Sequence, residues 1–393
     1  MLKIGLDHIE DIKNLGTGKK VGLITNHTGL NSNFVSNITI FKSLFQNSFL
    51  KIFTPEHGLY GAVQAGADIR SYYDNDIKMK IVSLYGNDNK DIDPDSSMRK
   101  NDTSYLKKSM PFDELNDIDI IFFDIQDIGT RIYTYISTMI LSMNKCSKMD
   151  KEFVILDRPN PIGRSIEGPI LMSSFRSFIG ITEIPLRHGM TVGEIGNFYN
   201  DFFLNSSLNL KVIKMDNWDK NYYNYMPWIM PSPNMPTLNS AIVYPGQVMF
   251  EGLNISEGRG TTKPFEIIAS PWINSYKLAR EMNSLNLDGI KFVEIKLVPQ
   301  FSKYKCELCN GVYLCITDFN KYKPYYTSLK LIEKLLELSH NDIIFYDKYF
   351  DMVNGTDKVR KALIEGKNID ELIGNIEISI NRFKDKISNI LLY

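Results

Sequence analysis

Short apolar runs alternate with stretches of helical spacing along the first half of the chain. Apolar positions have helical spacing at Phe34–Phe45 and Arg131–Met143. Continuous apolar runs predict buried strands at Lys20–Thr25, Phe49–Phe53, Lys80–Leu84, Ile118–Asp124 and Glu152–Leu156. Such β-branched and aromatic runs, separated by helices, indicate a parallel sheet that helices cover on both faces.

The pattern changes in the second half. Tyr222–Ser240 holds four prolines and little periodicity, which predicts a segment that crosses between two domains. Beyond it we expect a long loop at Glu251–Thr262. Strands are predicted at Lys291–Val298 and Gly311–Ile316, and helices at Ser328–Leu338, Asp357–Glu365 and Ile369–Ser388.

A chain of 393 residues exceeds the usual size of one hydrophobic core. The sequence therefore predicts an α/β fold with a Rossmann-like parallel-sheet domain at residues 1–228. A second, smaller α+β auxiliary domain is predicted at residues 229–393, where it contributes to a cleft.

Composition narrows the classes of partner. The 45 basic and 46 acidic residues give a formal net charge of -1 and are mixed along the chain. Since there is no basic stripe, we expect no nucleic-acid partner. No apolar run is long enough for a membrane span. No signal peptide is visible, which predicts a cytoplasmic protein, or a secreted one if a leader has been trimmed.

No motif indicates a cofactor or a metal. Gly16-Thr-Gly18 resembles part of a dinucleotide loop, but it precedes the first predicted strand and so lacks the strand-to-helix turn that binds a pyrophosphate. Cys306 and Cys309 have zinc-knuckle spacing, but no second pair exists to complete a four-ligand site. We therefore predict neither a cofactor nor a metal.

Polar or glycine-rich residues follow the predicted strands of the first half. In open parallel sheets, ligands bind outside the carboxyl ends of the strands. Those ends carry Asn26, Glu56-His57, Tyr85-Gly86, Asp124–Asp127 and Asp157–Asn160. The sequence therefore predicts a ligand site along this edge of the sheet.

Glu56 and His57 form the first candidate pair. A surface turn, helped by Pro55 and Gly58, is the structural alternative. A turn needs no carboxylate beside an imidazole, however, and the glycine-rich loop that follows lets a ligand approach the backbone closely. Because strand-end loops carry functional residues disproportionately, we favour a functional role for the pair.

The segment from Asp124 to Tyr133 is the second candidate. Asp127 can cap the helix that Arg131 is expected to open. The sequence leaves two interpretations of Arg131 open. Its guanidinium forms a bidentate pair with a substrate carboxylate, or it pairs with Asp124 inside the sheet.

Two further loops carry candidates on either side of the predicted cleft. Asn160 lies in a proline-rich loop, and His188 remains ambiguous because the capping box of Thr191 and Glu194 explains its neighbours. Functional residues are also expected on the side of the second domain. The candidates there are Asn234, Glu251, Asn254, Glu257 and Arg259.

A series of motifs in this chain resembles one family. The motifs include GLITNHTG (22–29), PEHGLYG (55–61), DIQDIGTRIYTY (124–135), LDRPNPIG (156–163), RHGMTVGE (187–194), MPSPNMPT (230–237) and EGLNISEGRGTTKPFE (251–266). In this order they resemble the NamZ-type exo-β-N-acetylmuramidases, which act on peptidoglycan. The match spans nearly the whole chain and extends to FDMVNGTDKVRKAL (350–363).

The resemblance implies a Rossmann-like catalytic domain, an auxiliary domain and an active site in the cleft between them. It implies release of terminal β-linked N-acetylmuramic acid (MurNAc) from the non-reducing end of peptidoglycan fragments such as MurNAc-GlcNAc. Glu56 stands at the position of the family's proposed catalytic glutamate.

Glycoside hydrolysis commonly uses two carboxyl groups. We expect Glu56 to be the acid or acid/base, with His57 modulating it. The expected second carboxylate is Glu257, with Asp124 and Asp127 as rivals. A cation should hold the lactyl carboxylate of MurNAc. The substrate-binding candidates, of which Arg259 and Arg131 are the cations, are Asn26, Arg131, Tyr133, Asn160, His188, Asn234, Glu251, Asn254 and Arg259.

The sequence leaves two alternatives to the glycosidase, and each would use the same cleft. An esterase or amidase is one alternative, although no GxSxG nucleophile motif supports it. A non-catalytic protein that binds muropeptides or sugars is the other. Release of free MurNAc from MurNAc-GlcNAc distinguishes the glycosidase from the binding protein.

Overall fold

The structure is a computed structural model that describes residues 2–64, 66–85, 110–219 and 227–393. Gly86 of the predicted strand-end set and residues 222–226 of the predicted crossing segment lie outside these ranges. Among the described residues, no helix combines the length and the apolar character needed to cross a membrane.

Strands and helices alternate through the described part of the first half. The strands are β1 Val21–Thr25, β2 Phe49–Thr54, β3 Tyr72–Asp74, β4 Met79–Ser83, β5 Ile120–Asp124, β6 Glu152–Leu156, β7 Glu167–Ile170, β8 Pro185–Arg187, β9 Leu210–Ile213, β10 Ile267–Ser270, β11 Ile290–Leu297 and β12 Cys309–Ile316. The α-helices are α1 Ile9–Gly16, α2 Asn37–Phe45, α3 Tyr135–Lys148, α4 Val192–Phe203, α5 Leu238–Gln247, α6 Ser275–Ser284, α7 Pro324–Ser339, α8 Asp347–Asn354, α9 Lys358–Ile364 and α10 Ile369–Ile387.

Seven strands form the central sheet in the order β3-β4-β2-β1-β5-β6-β9. All neighbouring pairs are parallel except the edge pair of β3 and β4. The predicted Rossmann-like sheet is therefore confirmed.

The continuous apolar runs arise because both faces of this sheet are covered. Phe122 of β5 packs edge-on against Phe41 of α2, with 5.0 Å between ring centroids. Its neighbours Ile121 and Phe123 point to the opposite face and join the buried cluster that contains Ile136 of α3. Since successive side chains of a strand alternate between faces, a strand buried on both sides has no polar alternation.

The order of the strands places a crevice between β1 and β5. From β1 the chain builds outward through β2 and β4, and from β5 it builds in the other direction through β6 and β9. Thr25 and Asp124, which end β1 and β5, lie opposite each other in register. Connections that leave in opposite directions open a crevice at the carboxyl ends of such strands, where doubly wound sheets bind ligands.

A smaller antiparallel sheet, in the order β10-β12-β11, forms the second part of the fold. Its strands and helices α6 and α7 contribute to the same buried cluster as the central sheet. Helix α10 returns to the first half, where Phe383 packs on Phe198 with 5.8 Å between centroids. The predicted two-part α/β fold is confirmed, and the division at residue 228 stays a prediction.

Helix α3 begins at Tyr135, four residues later than Arg131, where it was expected to open. Asp127 therefore does not cap it. The intervening backbone is used elsewhere, since the amide of Arg131 donates to the carbonyl of Leu186. The crossing segment was also predicted too long, because helix α5 begins at Leu238, with Thr237 as its N-cap. Short strands such as β7 and β10 were missed.

Asp157, just after β6, is a buried carboxyl group that ties several elements together. Its Oδ1 accepts from the amides of Arg158 and Gly193, at 3.0 and 2.8 Å. Its Oδ2 accepts from the hydroxyls of Thr191 and Tyr393, at 2.8 and 2.7 Å. Burial outweighs these donors and raises the pKa of Asp157 to about 6.

This raised pKa predicts a pH-dependent effect of Asp157→Asn. Because the folded protein holds the Asp157 proton more tightly than the unfolded chain, its stabilising effect is full below the ordinary pKa and declines as pH rises through about 6. Relative to the Asn variant, the wild-type protein should lose roughly 2 kcal/mol of unfolding free energy between about pH 4 and pH 7.5. Urea unfolding at several pH values measures this difference. A difference that does not change with pH would contradict the assignment.

Candidate active site

Glu56 lies in the turn that follows β2, and only 7% of it is exposed. Its Oε1 accepts a hydrogen bond from the amide of Gly66 at 3.0 Å. Its Oε2 accepts from the hydroxyl of Thr134 at 2.7 Å. The hydroxyl of Tyr85 also hydrogen-bonds to this carboxyl group. Because a hydroxyl can donate or accept, this arrangement suits both the protonated and the ionised carboxyl group.

His57 shapes the loop that carries Glu56. Its backbone lies in the left-handed region, with φ of 72°. The ring Nδ1 lies 2.7 Å from the carbonyl of Val63, which fixes the proton on Nδ1. The ring therefore holds the loop closed on itself, and a modulating effect on Glu56 stays a prediction.

Asn26, at the end of β1, is used within the protein. Its Oδ1 accepts from the amide and the hydroxyl of Thr28. Its Nδ2 donates to the hydroxyl of Tyr135 at 3.0 Å, and that hydroxyl donates to the carbonyl of Pro231 at 2.5 Å. Asn26 thus positions Tyr135, which links the first half of the chain to the segment before α5.

Asp124 is fully buried, and its carboxylate oxygens are both occupied. Oδ1 accepts from Arg158 Nε at 2.6 Å, and Oδ2 accepts from Asn37 Nδ2 at 2.7 Å. The predicted pair of Asp124 with Arg131 is therefore wrong. Arg158 takes that position because it follows β6, the neighbour of β5 in the sheet.

Arg131 joins the two halves of the chain. Its Nη1 donates to the carbonyls of Pro169 and Ile184, at 2.8 and 2.9 Å. Its Nη2 donates to the carbonyl of Val353 in α8 at 2.9 Å. The side chain is buried without a carboxylate partner in the described part of the chain, and burial lowers the pKa of its guanidinium. Both terminal nitrogens are therefore bonded to the backbone, whereas Nε has no partner among the described residues. That Arg131 holds a substrate carboxylate stays a prediction.

Asp127 and His188 lie beside each other at the carboxyl end of β5. Asp127 Oδ2 accepts from the amide of Gly129 at 2.7 Å, and His188 Nε2 lies 3.8 Å from the same oxygen. Both residues are at least nine-tenths buried.

Aromatic rings join the crevice to the second half. Tyr133 packs edge-on against Tyr135 and Tyr244, with centroid distances of 4.9 and 6.1 Å. Tyr244 in turn packs edge-on against Phe265 at 4.6 Å. Burial raises the pKa of Tyr244 well above its ordinary value, and the charges of Glu251 and Glu56 add to this effect. Tyr244 therefore links Tyr133 of the first half to Phe265 of the second half.

The second half contributes a compact charged cluster. Arg259 donates to Glu251 Oε1, at 2.5 Å from Nη2, and its Nε lies 3.3 Å from Glu257 Oε1. Lys303 Nζ donates to Glu257 Oε2 at 3.1 Å. Tyr349 donates to Glu251 Oε2 at 2.5 Å. Burial would raise the pKa of Glu251, but Arg259 and Tyr349 outweigh it and hold that pKa below its ordinary value.

Three predicted asparagine ligands make contacts within the protein. Asn160 accepts from the amide of Ile162 and donates to the carbonyl of Met190. Asn254 anchors its loop to residues 342 and 344 through both side-chain atoms. Asn234 donates to Gln64 Oε1 at 3.2 Å, and so connects the Glu56 loop to the second half. Asn160 and Asn254 shape the walls, whereas Asn234 lies at the cleft.

The described residues contain no group of three or more His, Cys, Asp or Glu side chains arranged to hold a metal ion. Cys306 is exposed and Cys309 is buried, and both are free thiols. Burial raises the pKa of the Cys309 thiol to about 11.

The crevice thus brings together Glu56, Asp127, Tyr133 and His188 from the predicted set. Sequence reasoning missed two residues that contact them, Thr134 and Tyr244, and named Tyr85 only as part of a strand end. A signal was present for Thr134, because it stands in the motif DIQDIGTRIYTY.

Known proteins resemble this chain over both parts of its fold. The family described as "Exo-beta-N-acetylmuramidase NamZ, N-terminal" matches residues 21–239, and its C-terminal counterpart matches residues 242–393. The chain belongs to the NamZ family. A curated member, the peptidoglycan beta-N-acetylmuramidase NamZ of Bacillus subtilis strain 168, is 39% identical over 401 residues, covering 100% of this chain and 91% of the relative.

Two solved structures from Bacteroides fragilis share the fold. Both are crystal structures of DUF1343 family proteins. One is 30% identical, with a TM-score of 0.87, and covers 100% of this chain and 99% of its own. The other is 29% identical, with a TM-score of 0.72 and the same coverage. The family fold therefore extends over the full chain.

The contacts of Arg131 predict a large loss of stability in Arg131→Met. The substitution removes a donor from three buried carbonyls, of which that of Ile184 keeps the amide of Leu171. A buried polar group left unsatisfied costs about 1 to 3 kcal/mol. We expect at least about 2 kcal/mol of destabilisation in urea unfolding. The control is Arg176→Met, which removes a half-exposed pair with Glu183 and should change stability by less than about 1 kcal/mol. Equal effects of the two substitutions would contradict this role.

Proposed function

We propose that this chain is an exo-acting glycosidase that releases terminal β-linked MurNAc from the non-reducing end of peptidoglycan fragments such as MurNAc-GlcNAc. Support comes from its membership of the NamZ family over both parts of the fold. The observation that carries the proposal is the position of Glu56, which lies in the cleft on a loop linked to both halves. A cytoplasmic location stays a prediction.

Glu56 supplies the proton to the leaving oxygen. Its carboxyl group is buried among hydroxyl partners, Thr134 and Tyr85, which can accept from it when it is protonated and donate to it afterwards. A carboxyl group that keeps its hydrogen bonds in both states can transfer a proton without rearrangement of its surroundings. Fixed dipoles of this kind lower the barrier because they need no reorganisation during the reaction.

Arg259 is the cation proposed for the lactyl carboxylate. Its side chain is 21% exposed, whereas Arg131 is buried and bonded to carbonyls. Its orientation is fixed by Glu251 and Glu257 on one side and by the ring of Phe265, 5.2 Å from the guanidinium carbon. A guanidinium that is fixed in this way can hold a carboxylate with less loss of side-chain entropy.

Glu56→Gln tests the catalytic role directly. The amide preserves the size of the side chain, and the two hydroxyls can accept from it, so the fold should be kept. Release of MurNAc from MurNAc-GlcNAc should fall by about 100-fold or more, because general acid catalysis contributes at least that much. Chromatography of the products measures the release, with Glu183→Gln, at the half-exposed surface, as the control. Near wild-type release would contradict the assignment. Binding without release by the wild-type protein would favour a capture protein instead.

Substitution of Arg259 tests recognition of the lactyl group. In Arg259→Met, KM for a chromogenic β-muramide should rise about tenfold or more, because a hydrogen bond to a charged group contributes about 1.5 to 3 kcal/mol. Arg259→Lys keeps the charge but loses the bidentate guanidinium, and should give a smaller rise in KM. Arg280→Met, at the exposed surface, is the control. Parallel assays use a β-N-acetylglucosaminide, which lacks the carboxylate. An equal change of KM for both substrates would argue against Arg259.

A further inference from the structure

The acids around the cleft differ in how their oxygens are occupied. Glu251 and Glu257 each have both oxygens engaged by the charged cluster of the second half. Asp124 has both oxygens engaged by Arg158 and Asn37. Each of these three carboxylates has at least one cationic partner and a contact at both oxygens, whereas the partners of Glu56 are an amide and hydroxyls.

Asp127 is different because only one of its oxygens is used. Its Oδ2 accepts from the amide of Gly129, whereas its Oδ1 has no hydrogen-bond partner within the ranges that the structure describes. Only 5% of the residue is exposed. A buried carboxylate oxygen without a partner costs free energy, so its retention needs an explanation, and a catalytic role is one.

His188 presents a matching donor. Its Nδ1 accepts from the amide of Met190 at 3.1 Å, which places the ring proton on Nε2. Nε2 is buried, has no hydrogen-bond partner among the described residues, and lies 3.8 Å from Asp127 Oδ2. An unused acceptor and an unused donor thus belong to two neighbouring buried side chains. A water molecule beside them can accept from His188 and donate to Asp127.

Asp127 and Glu56 belong to the same site. Asp127 and Thr134 lie on one short segment between β5 and α3, and Thr134 donates to Glu56. The next residue, Tyr135, has a pKa that both acids affect. Burial raises its pKa, and the charges of Glu56 and Asp127 raise it further.

We propose that Asp127 is the second catalytic carboxyl group and acts as the general base, with His188 as the second contact of the attacking water. This inference rests on the proposed glycosidase function. The water gives its proton to Asp127 Oδ1 as its oxygen bonds to the anomeric carbon. The bond from that carbon to the glycosidic oxygen breaks, and the departing oxygen takes the proton of Glu56. The β-linked sugar is then released first as the α anomer.

The first test compares leaving groups in two variants. Asp127→Asn should lower kcat by about 100-fold or more on both MurNAc-GlcNAc and 4-nitrophenyl β-muramide, because the base acts on water whatever group departs. Glu56→Gln should lose far more on the disaccharide than on the aryl glycoside, which needs little protonation. Glu183→Gln is the matched surface control. His188→Asn should lower kcat about tenfold with little change in KM.

The second test uses azide and the anomer of the product. Azide needs no base, so it should restore turnover of the aryl glycoside by Asp127→Ala and yield the α-muramyl azide. Proton NMR of the wild-type reaction should show the α anomer first, and this measurement does not depend on any variant folding.

The outcomes separate this inference from the function on which it rests. If the wild-type protein releases no MurNAc, the proposed function fails. If it releases MurNAc, either of two results overturns the role of Asp127 and leaves the function intact. One is near wild-type turnover by Asp127→Asn, and the other is initial release of the β anomer.

Discussion

The buried ion pair of Asp124 and Arg158 is the interaction on which the cleft depends. Arg158 also donates to the carbonyl of Leu30, and Asn37 binds the second oxygen of Asp124. The loops after β1 and β6, the end of β5 and the start of α2 therefore meet at one carboxylate. Loss of one partner from such a pair leaves an unpaired buried charge and costs about 3 to 5 kcal/mol.

Local patterns in the sequence predicted the elements that are decided locally. Continuous apolar runs located β1, β2, β4, β5 and β6 to within two residues, because burial on both faces leaves no other pattern. The capping box of Thr191 and Glu194 is present as predicted, since its two hydrogen bonds lie within one turn. Short strands such as β7 were missed, because their residues pair with partners that are distant in sequence and carry no apolar run of their own.

The sequence named candidate site residues, but it did not predict their hydrogen-bond partners. The motifs named the acids, whereas which acid keeps a free oxygen depends on partners far along the chain. Arg158 lies 34 residues from Asp124, and Lys303 lies 46 residues from Glu257. Arg131 shows the same limit, because its role is set by Val353, 222 residues away. Local sequence patterns do not predict partners that are so far apart in the chain. The partners of each carboxylate, and so its candidate role, therefore become visible only in the fold.

Hydrogen bonds between the two halves of the chain form the walls of the cleft. Arg131 bonds to α8, Tyr135 bonds to Pro231, and Asn234 bonds to Gln64 in the loop of Glu56. Each contact lies beside a candidate catalytic residue and crosses from one half to the other. These contacts join the walls of the cleft. Small displacements of catalytic groups weaken catalysis. We therefore expect the side chains that join the halves to support both the stability of the protein and the geometry of its candidate site.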